Sequence, residues 1–126
     1  MSVRPDRGEM SQILVAALDA LGLPILLHDY EQVLFANSAA AGILGAVPGA
    51  DIAGSALDTF LVPELASVTK ERRAYLLRDR VAFADLPIKM RTLDGRTIRL
   101  RVDARPVAFQ DRTIGMVTLK ALEPGE

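Results

Sequence analysis

The chain of 126 residues has no cysteine, no tryptophan and one histidine. Without cysteine there can be no disulfide, no thiolate metal ligand and no thiol nucleophile. One histidine leaves little from which to build a zinc or haem site. An excess of either charge is missing too: 15 basic residues face 16 acidic ones, for a net charge of −1. No overall field therefore draws the chain to nucleic acid or to a membrane surface. No apolar run approaches the ~20 residues that span a bilayer. The N-terminal MSVRPDRGEM lacks the apolar centre of a signal peptide. A soluble, cytosolic protein is expected. A Gly-rich phosphate loop, a GxSxG elbow, a metal-ligand cluster and internal repeats are likewise absent from the sequence. Hydrophobic residues are plentiful, at 50%, and the length suits one domain around one core.

The stretch from Leu23 to Ala41, LPILLHDYEQVLFANSAAA, carries the densest local signal. Ile25 to His28 is a short apolar run after Pro24, and Asp29 to Gln32 suits a four-residue turn with Asp29 bonding nearby N–H groups. Val33 to Phe35 is a second strand-like run. Asn37 then stands where its side chain can cap a helix over Ser38 to Leu44 that Gly45 ends. Upstream, Met1 to Gly8 is a polar lead-in. Glu9 to Leu21 places Ile13, Leu14, Ala17, Leu18 and Leu21 on one side of a helix, with Asp6 and Glu9 spaced like a loose capping box. Gly22 and Pro24 stop that helix. Thirteen residues are marginal as an isolated helix, so the stripe must lie on this domain or on a second copy.

Downstream, Ala46 to Gly54, with Pro48 and Gly49, reads as an irregular link. Ser55 to Leu61 suits a short helix with Ser55 as cap and Asp58 as its box partner. Pro63 to Arg80 is the longest helical stretch, its positive charge gathered near the C-terminal end. From Val81 the period becomes two. Ile88, Met90 and Thr92 alternate with Lys89 and Arg91, Asp94-Gly95 marks a hairpin, and Ile98, Leu100, Val102 and Ala104 alternate with charged residues. Pro106 is expected to bend or bulge that strand. Gln110 to Arg112 is a turn, Thr113 to Leu122 a last strand, and 123–126 a tail. Two strands, then helices, then a three-strand meander define an α+β chain with one antiparallel sheet.

The opening hairpin running into a capped helix resembles the start of a PAS domain, with its "xxxD…xxxxAN" pattern. LDGRTIRLRVDARPVAFQDRTIGMVTLKAL resembles the closing strands of that family. The resemblance covers about Leu21 to Leu122. It divides the chain into a lead-in and amphipathic helix (1–22), a PAS domain (23–122) and a tail toward a linker (123–126). It implies sheet order 2-1-5-4-3, with helices enclosing a sensing cavity on one face. In flavin-binding members the residue before the turn Asp faces the cavity, which here is His28. Strand parity puts Leu26 on the same side, and Gly115, Val117 and Leu119 on the cavity side of the last strand. The expected ligand-binding set is Leu26, His28, Arg72, Tyr75, Met90, Leu100 and Val117. The outer face would hold an apolar strip of Ile25, Leu27, Ile114 and Met116, beside a basic strip of Lys89, Arg91, Arg99, Arg101 and Arg105 that either is solvated and partly neutralised or binds an acidic partner. Ile13, Leu14, Leu18 and Leu21 with the apolar strip form the expected homodimer interface.

His28 either is a neutral buried histidine with its hydrogen bonds satisfied or anchors a small ligand. Haem is disfavoured because haem-binding members take their axial histidine from the long helix, and Pro63 to Arg80 has none. A photoreactive flavin would need the missing cysteine, and Val117 stands where flavin binders carry Gln. The cofactor is thus open. The resemblance implies a sensory or regulatory module in signal transduction or transcription regulation, without enzyme activity, relaying to an effector domain outside this chain. It implies bacterial origin, a small molecule or a partner surface as what the module binds, and no direct contact of this domain with nucleic acid or membrane. Because the tail stops where members continue into a linker, an excised N-terminal domain is expected. Two alternatives stand: a ligand-free dimerisation module, and a small isomerase- or hydratase-like enzyme with His28 as base.

Overall fold

The structure, a computed structural model, describes residues 7–47 and 51–122, with the side chains of 7–11 and 121–122 outside that description. The Asp6–Glu9 pair, Pro48 and Gly49 of the link and the tail 123–126 lie outside the described residues. Helix α1 spans Arg7–Ala20, followed by strands β1 (Ile25–His28) and β2 (Val33–Ala36) and helix α2 (Ser38–Ile43). Two 3₁₀ turns, Leu57–Phe60 and Pro63–Leu65, lead into helix α3 (Ala66–Arg78). Strands β3 (Phe83–Arg91), β4 (Thr97–Phe109) and β5 (Arg112–Leu122) close the chain. All five strands form one antiparallel sheet in the order β2-β1-β5-β4-β3.

The β1–β2 junction with α2 is tied by Asn37, which is only 2% exposed. Its Oδ1 accepts from the N–H of Ile25 at 3.0 Å and of Ala40 at 3.1 Å, and its Nδ2 donates to the carbonyl of Leu23 at 2.6 Å. The expected cap therefore also holds the first strand, because a buried amide must find a partner for each of its polar groups. After α2, Gly45 adopts φ +84, and a Cβ there would come within 2.6 Å of Asp94 Oδ1. The helix stop thus doubles as the seat of the β3–β4 hairpin, whose Leu93 N–H donates to the carbonyl of Leu44 at 2.8 Å.

Four local expectations are corrected. Ser55 does not cap a helix: the 3₁₀ turn starts from Ala56 without a side-chain cap bond. The Ser55 carbonyl instead accepts the Val33 N–H at 2.9 Å, and Ala56 bridges Gln32, so pairing along β2 overrides the local capping pattern. The long helix begins three residues late, because Pro63–Leu65 forms a tighter 3₁₀ turn. Pro106 neither interrupts nor bulges β4, whose register runs unbroken from Arg105↔Met116 through Val107↔Ile114. The pairing of β3 with β4 ends at Phe83↔Ala104, so Pro106 lies at a free edge on that side, where a missing N–H costs nothing. Finally, the outer apolar strip is not uniformly uncovered: Ile25 and Ile114 are 6% and 7% exposed, and Leu27 and Met116 are half-buried.

The core lies on the helical side of the sheet. One cluster joins Leu26, Val33, Leu44, Ile52, Leu57 and Phe60. The other joins Ala40, Ile98, Leu100, Val102 and Leu119. Each buried Leu, Ile or Phe contributes about 1.5–3 kcal/mol before ordering entropy is subtracted. The period-two pattern of β4 appears directly as burial, with Ile98, Leu100, Val102 and Ala104 inside. Among the described residues, helix α1 makes no extensive contact with another element. Its C-terminal end is held at α2, where Asp19 accepts from the Ser38 N–H at 3.0 Å.

Candidate functional site: a cavity between the sheet and helix α3

A cavity of about 120 Å³ lies between the inner sheet face, the first 3₁₀ turn and α3. Strand pairing places Leu26 opposite Val117 and His28 opposite Gly115, and Val117 opposite Ala104 on the other side. Leu26, His28, Val117, Leu119, Val102 and Ala104 thereby make a continuous sheet wall. Leu57 and Phe60 close one side, Thr69, Arg72, Arg73 and Leu76 of α3 form the roof, and Leu86, Ile88 and Met90 of β3 the far wall.

Of the residues expected to bind a ligand, Leu26, His28, Arg72, Met90 and Val117 line this cavity together. Tyr75 does not; it projects from α3 and is 43% exposed. Leu100 is buried in the second core cluster and borders an adjoining cleft with Thr69, Arg72, Ile88 and Lys89. The sequence reading missed Arg73, Leu76, Leu57 and Phe60 as wall residues. The spacing of Thr69, Arg72–Arg73 and Leu76 is the helical period that carried the signal.

His28 is 3% exposed. Its Nδ1 accepts the N–H of Tyr30 at 3.1 Å, so the neutral ring carries its proton on Nε2. The turn that provides this bond is fixed by Asp29 Oδ1, which accepts from the N–H of Glu31 at 3.0 Å and of Gln32 at 2.8 Å. Burial lowers the His28 pKa from 6.5 to about 4, with the Arg73 charge acting in the same direction and Asp29 opposing. The imidazole fits only because residue 115 lacks a side chain: a Cβ there would lie 2.5 Å from Nε2 and 2.6 Å from Cε1.

The cations of the roof differ in their partners. Arg73, nearly buried, donates from Nη1 to Asp58 Oδ1 at 2.7 Å and stacks 5.8 Å over the Tyr30 ring. Its guanidinium hydrogen bond is the main reason that the Asp58 carboxyl is held below its ordinary pKa. Arg72 is half-buried and makes no hydrogen bond or ion pair with the described residues. No Asp, Glu, Asn or Gln lines the cavity. On the outer sheet face one member of the basic strip is neutralised, with Arg101 Nη1 3.5 Å from Asp85, a carboxylate that Lys120, outside the expected strip, also approaches at 3.4 Å. No group of metal-ligating side chains occurs among the described residues. None of their helices is long and apolar enough to cross a membrane.

No family model and no curated protein matches the sequence. The fold does match solved structures. A PAS domain from a two-component sensor histidine kinase is similar with a TM-score of 0.68 at 13% identity, over 94% of this chain and 100% of that one. A PAS domain of a protein from Colwellia psychrerythraea is similar with a TM-score of 0.70 at 12% identity, over 88% and 95%. The PAS domain of nitrogen regulation protein NR(II) from Vibrio parahaemolyticus is similar with a TM-score of 0.62 at 19% identity, over 86% and 96%. The sheet order and the helices on one face are those of a PAS domain: this chain has the PAS fold.

Proposed function

We propose that this chain is a sensory or regulatory PAS module without enzyme activity. It binds a small molecule between the sheet and α3 and relays the change to an effector domain outside the chain, in signal transduction or transcription regulation. Leu26, His28, Arg72, Met90 and Val117 are the contact residues. The observation that carries the reading is His28. A buried ring with its Nδ1 occupied presents an Nε2–H that no described residue accepts, on the wall of a cavity. No buried side-chain nitrogen or oxygen among the described residues lacks a partner, so this N–H opens into the cavity, where a bound molecule can accept it. The same cavity-facing donor weighs against the ligand-free dimerisation reading, which a filled core would suit better.

The module acts in a cytoplasmic, bacterial setting as a homodimer. The support for pairing is α1 and the residue after it, where Ile13, Leu14 and Leu21 are 52%, 56% and 63% exposed, while Asp19 ties the end of the helix to α2. Native mass spectrometry of the protein and of His28→Ala tests the ligand reading. A small molecule carried by the wild type and missing from the variant is expected. Wild-type protein that emerges empty, and whose melting point no candidate metabolite raises, would refute ligand sensing in favour of a dimerisation module.

A further inference from the structure

The polar groups around the cavity are unbalanced in one direction. His28 offers Nε2–H and has spent its acceptor on Tyr30. Arg73 is committed to Asp58. Arg72 retains its donors, borders both the cavity and the adjoining cleft of about 250 Å³, and meets no carboxylate among the lining residues of either space. Lys89, expected on the outer basic strip, lines both spaces as well. Only the Thr69 hydroxyl supplies a side-chain acceptor in the cavity wall. A cationic or donor-rich guest would meet uncompensated positive charge there. An anionic guest would meet the guanidinium of half-buried Arg72, whose fork matches a carboxylate.

The size of the space limits the apolar part. A dry cavity of about 150 Å³ holds a benzene-sized guest. The space here, about 120 Å³, is of that order and is walled mostly by aliphatic side chains such as Leu26, Leu76 and Val117.

We propose that the ligand of this site is a small monocarboxylate with an apolar body of five or six carbons, its body in the cavity and its carboxylate on Arg72. This rests on the ligand-sensing reading above and names the chemical class that reading leaves open. Arg72 is the specificity-determining residue. His28 serves as a second donor facing the bound molecule, and Arg73 keeps its structural pairing with Asp58.

The test is an NMR titration of the intact chain at neutral pH and low salt with hexanoate, 1-hexanol and hexylammonium, following the methyl groups of Leu26 and Val117 and the His28 ring. Hexanoate is expected to bind at least about tenfold more tightly than hexanol, the scale of one charge-assisted hydrogen bond. Hexylammonium is expected to leave these signals unmoved. Arg72→Gln should bring hexanoate down to the level of hexanol without changing hexanol, and Arg72→Lys should restore part of the difference. Hexanoate should also raise the pH at which the His28 ring titrates, which a purely structural Arg72 would not produce. Equal binding of hexanoate and hexanol by the wild type, or an undiminished hexanoate response in folded Arg72→Gln, overturns the carboxylate assignment and leaves the cavity reading intact. Failure of all three probes to perturb the cavity overturns both.

Discussion

At the scale of single residues, His28 sets a pH dependence that the rest of the chain does not imitate. Its pKa is lowered from 6.5 to about 4 in the fold, chiefly by burial. Between those values the unfolded chain binds the proton and the folded chain does not. Stability is therefore full above pH 6.5 and falls as the pH drops toward 4, by roughly 3 kcal/mol in all. The shifted carboxylates Asp58, Asp94 and Asp103 are lowered from 3.8, so their losses come at more acid pH. This is the only histidine, and denaturant melts between pH 7 and 4.5 isolate it. The slope should be present in the wild type and flat in His28→Asn. An equal slope in both would place the titrating group elsewhere. Gly115 is the other half of this position, since the ring occupies the volume that any side chain there would need.

At the scale of elements, the first 3₁₀ turn and α3 are joined by one buried guanidinium. Arg73 reaches Asp58 at 2.7 Å, whereas Lys70 approaches the same carboxylate only at 3.8 Å with both groups about half exposed. The two contacts should have unequal weight. Exposed pairs contribute little, whereas a nearly buried cation that loses its carboxylate is left undercompensated. Asp58→Asn is expected to lower stability by about 1 kcal/mol or somewhat more, and Lys70→Gln by less than about 0.5 kcal/mol. Equal effects in equilibrium denaturation would mean that the joint is merely surface electrostatics. Because Leu57, Phe60, Arg73 and Leu76 all line the cavity, this joint is also where a ligand would first alter the packing of one element on another.

At the scale of the whole molecule, α1 is the part that one chain leaves unsatisfied. Its Ile13, Leu14 and Val15 face outward, and a helix of 14 residues has little stability of its own in water. A second copy offering the same stripe would cover it. Ile13→Glu with Leu14→Glu alters exposed positions only, so the domain should still fold. Sedimentation at micromolar concentration is expected to show a dimer for the wild type and a monomer for the double variant. An unchanged assembly in the variant, or a monomeric wild type, would remove α1 from the interface.

Much of this was readable in the residues themselves. Alternation along Ile98 to Ala104 determined which face of β4 is buried, because successive strand side chains must point to opposite sides. Asn37 ahead of Ser38 and three alanines determined where α2 begins, and parity between Leu26 and His28 determined that both face the cavity. The order of elements, compared with the PAS pattern, carried the sheet topology. Tertiary structure decided what depends on neighbours distant in the chain. Pairing with Val33 took Ser55 away from its cap. The short reach of β3 let Pro106 remain in an unbroken strand. Tyr75 was turned outward while Arg73, two residues earlier, was drawn in by Asp58 and Tyr30. The close approach of His28 to Gly115 is invisible in a sequence where they stand far apart, since no local preference records which side chain must be missing for another to fit. Periodicity and capping are local energies and can be read along the chain; the choice of partner is a competition among remote groups, settled only when the sheet and helices close around one another.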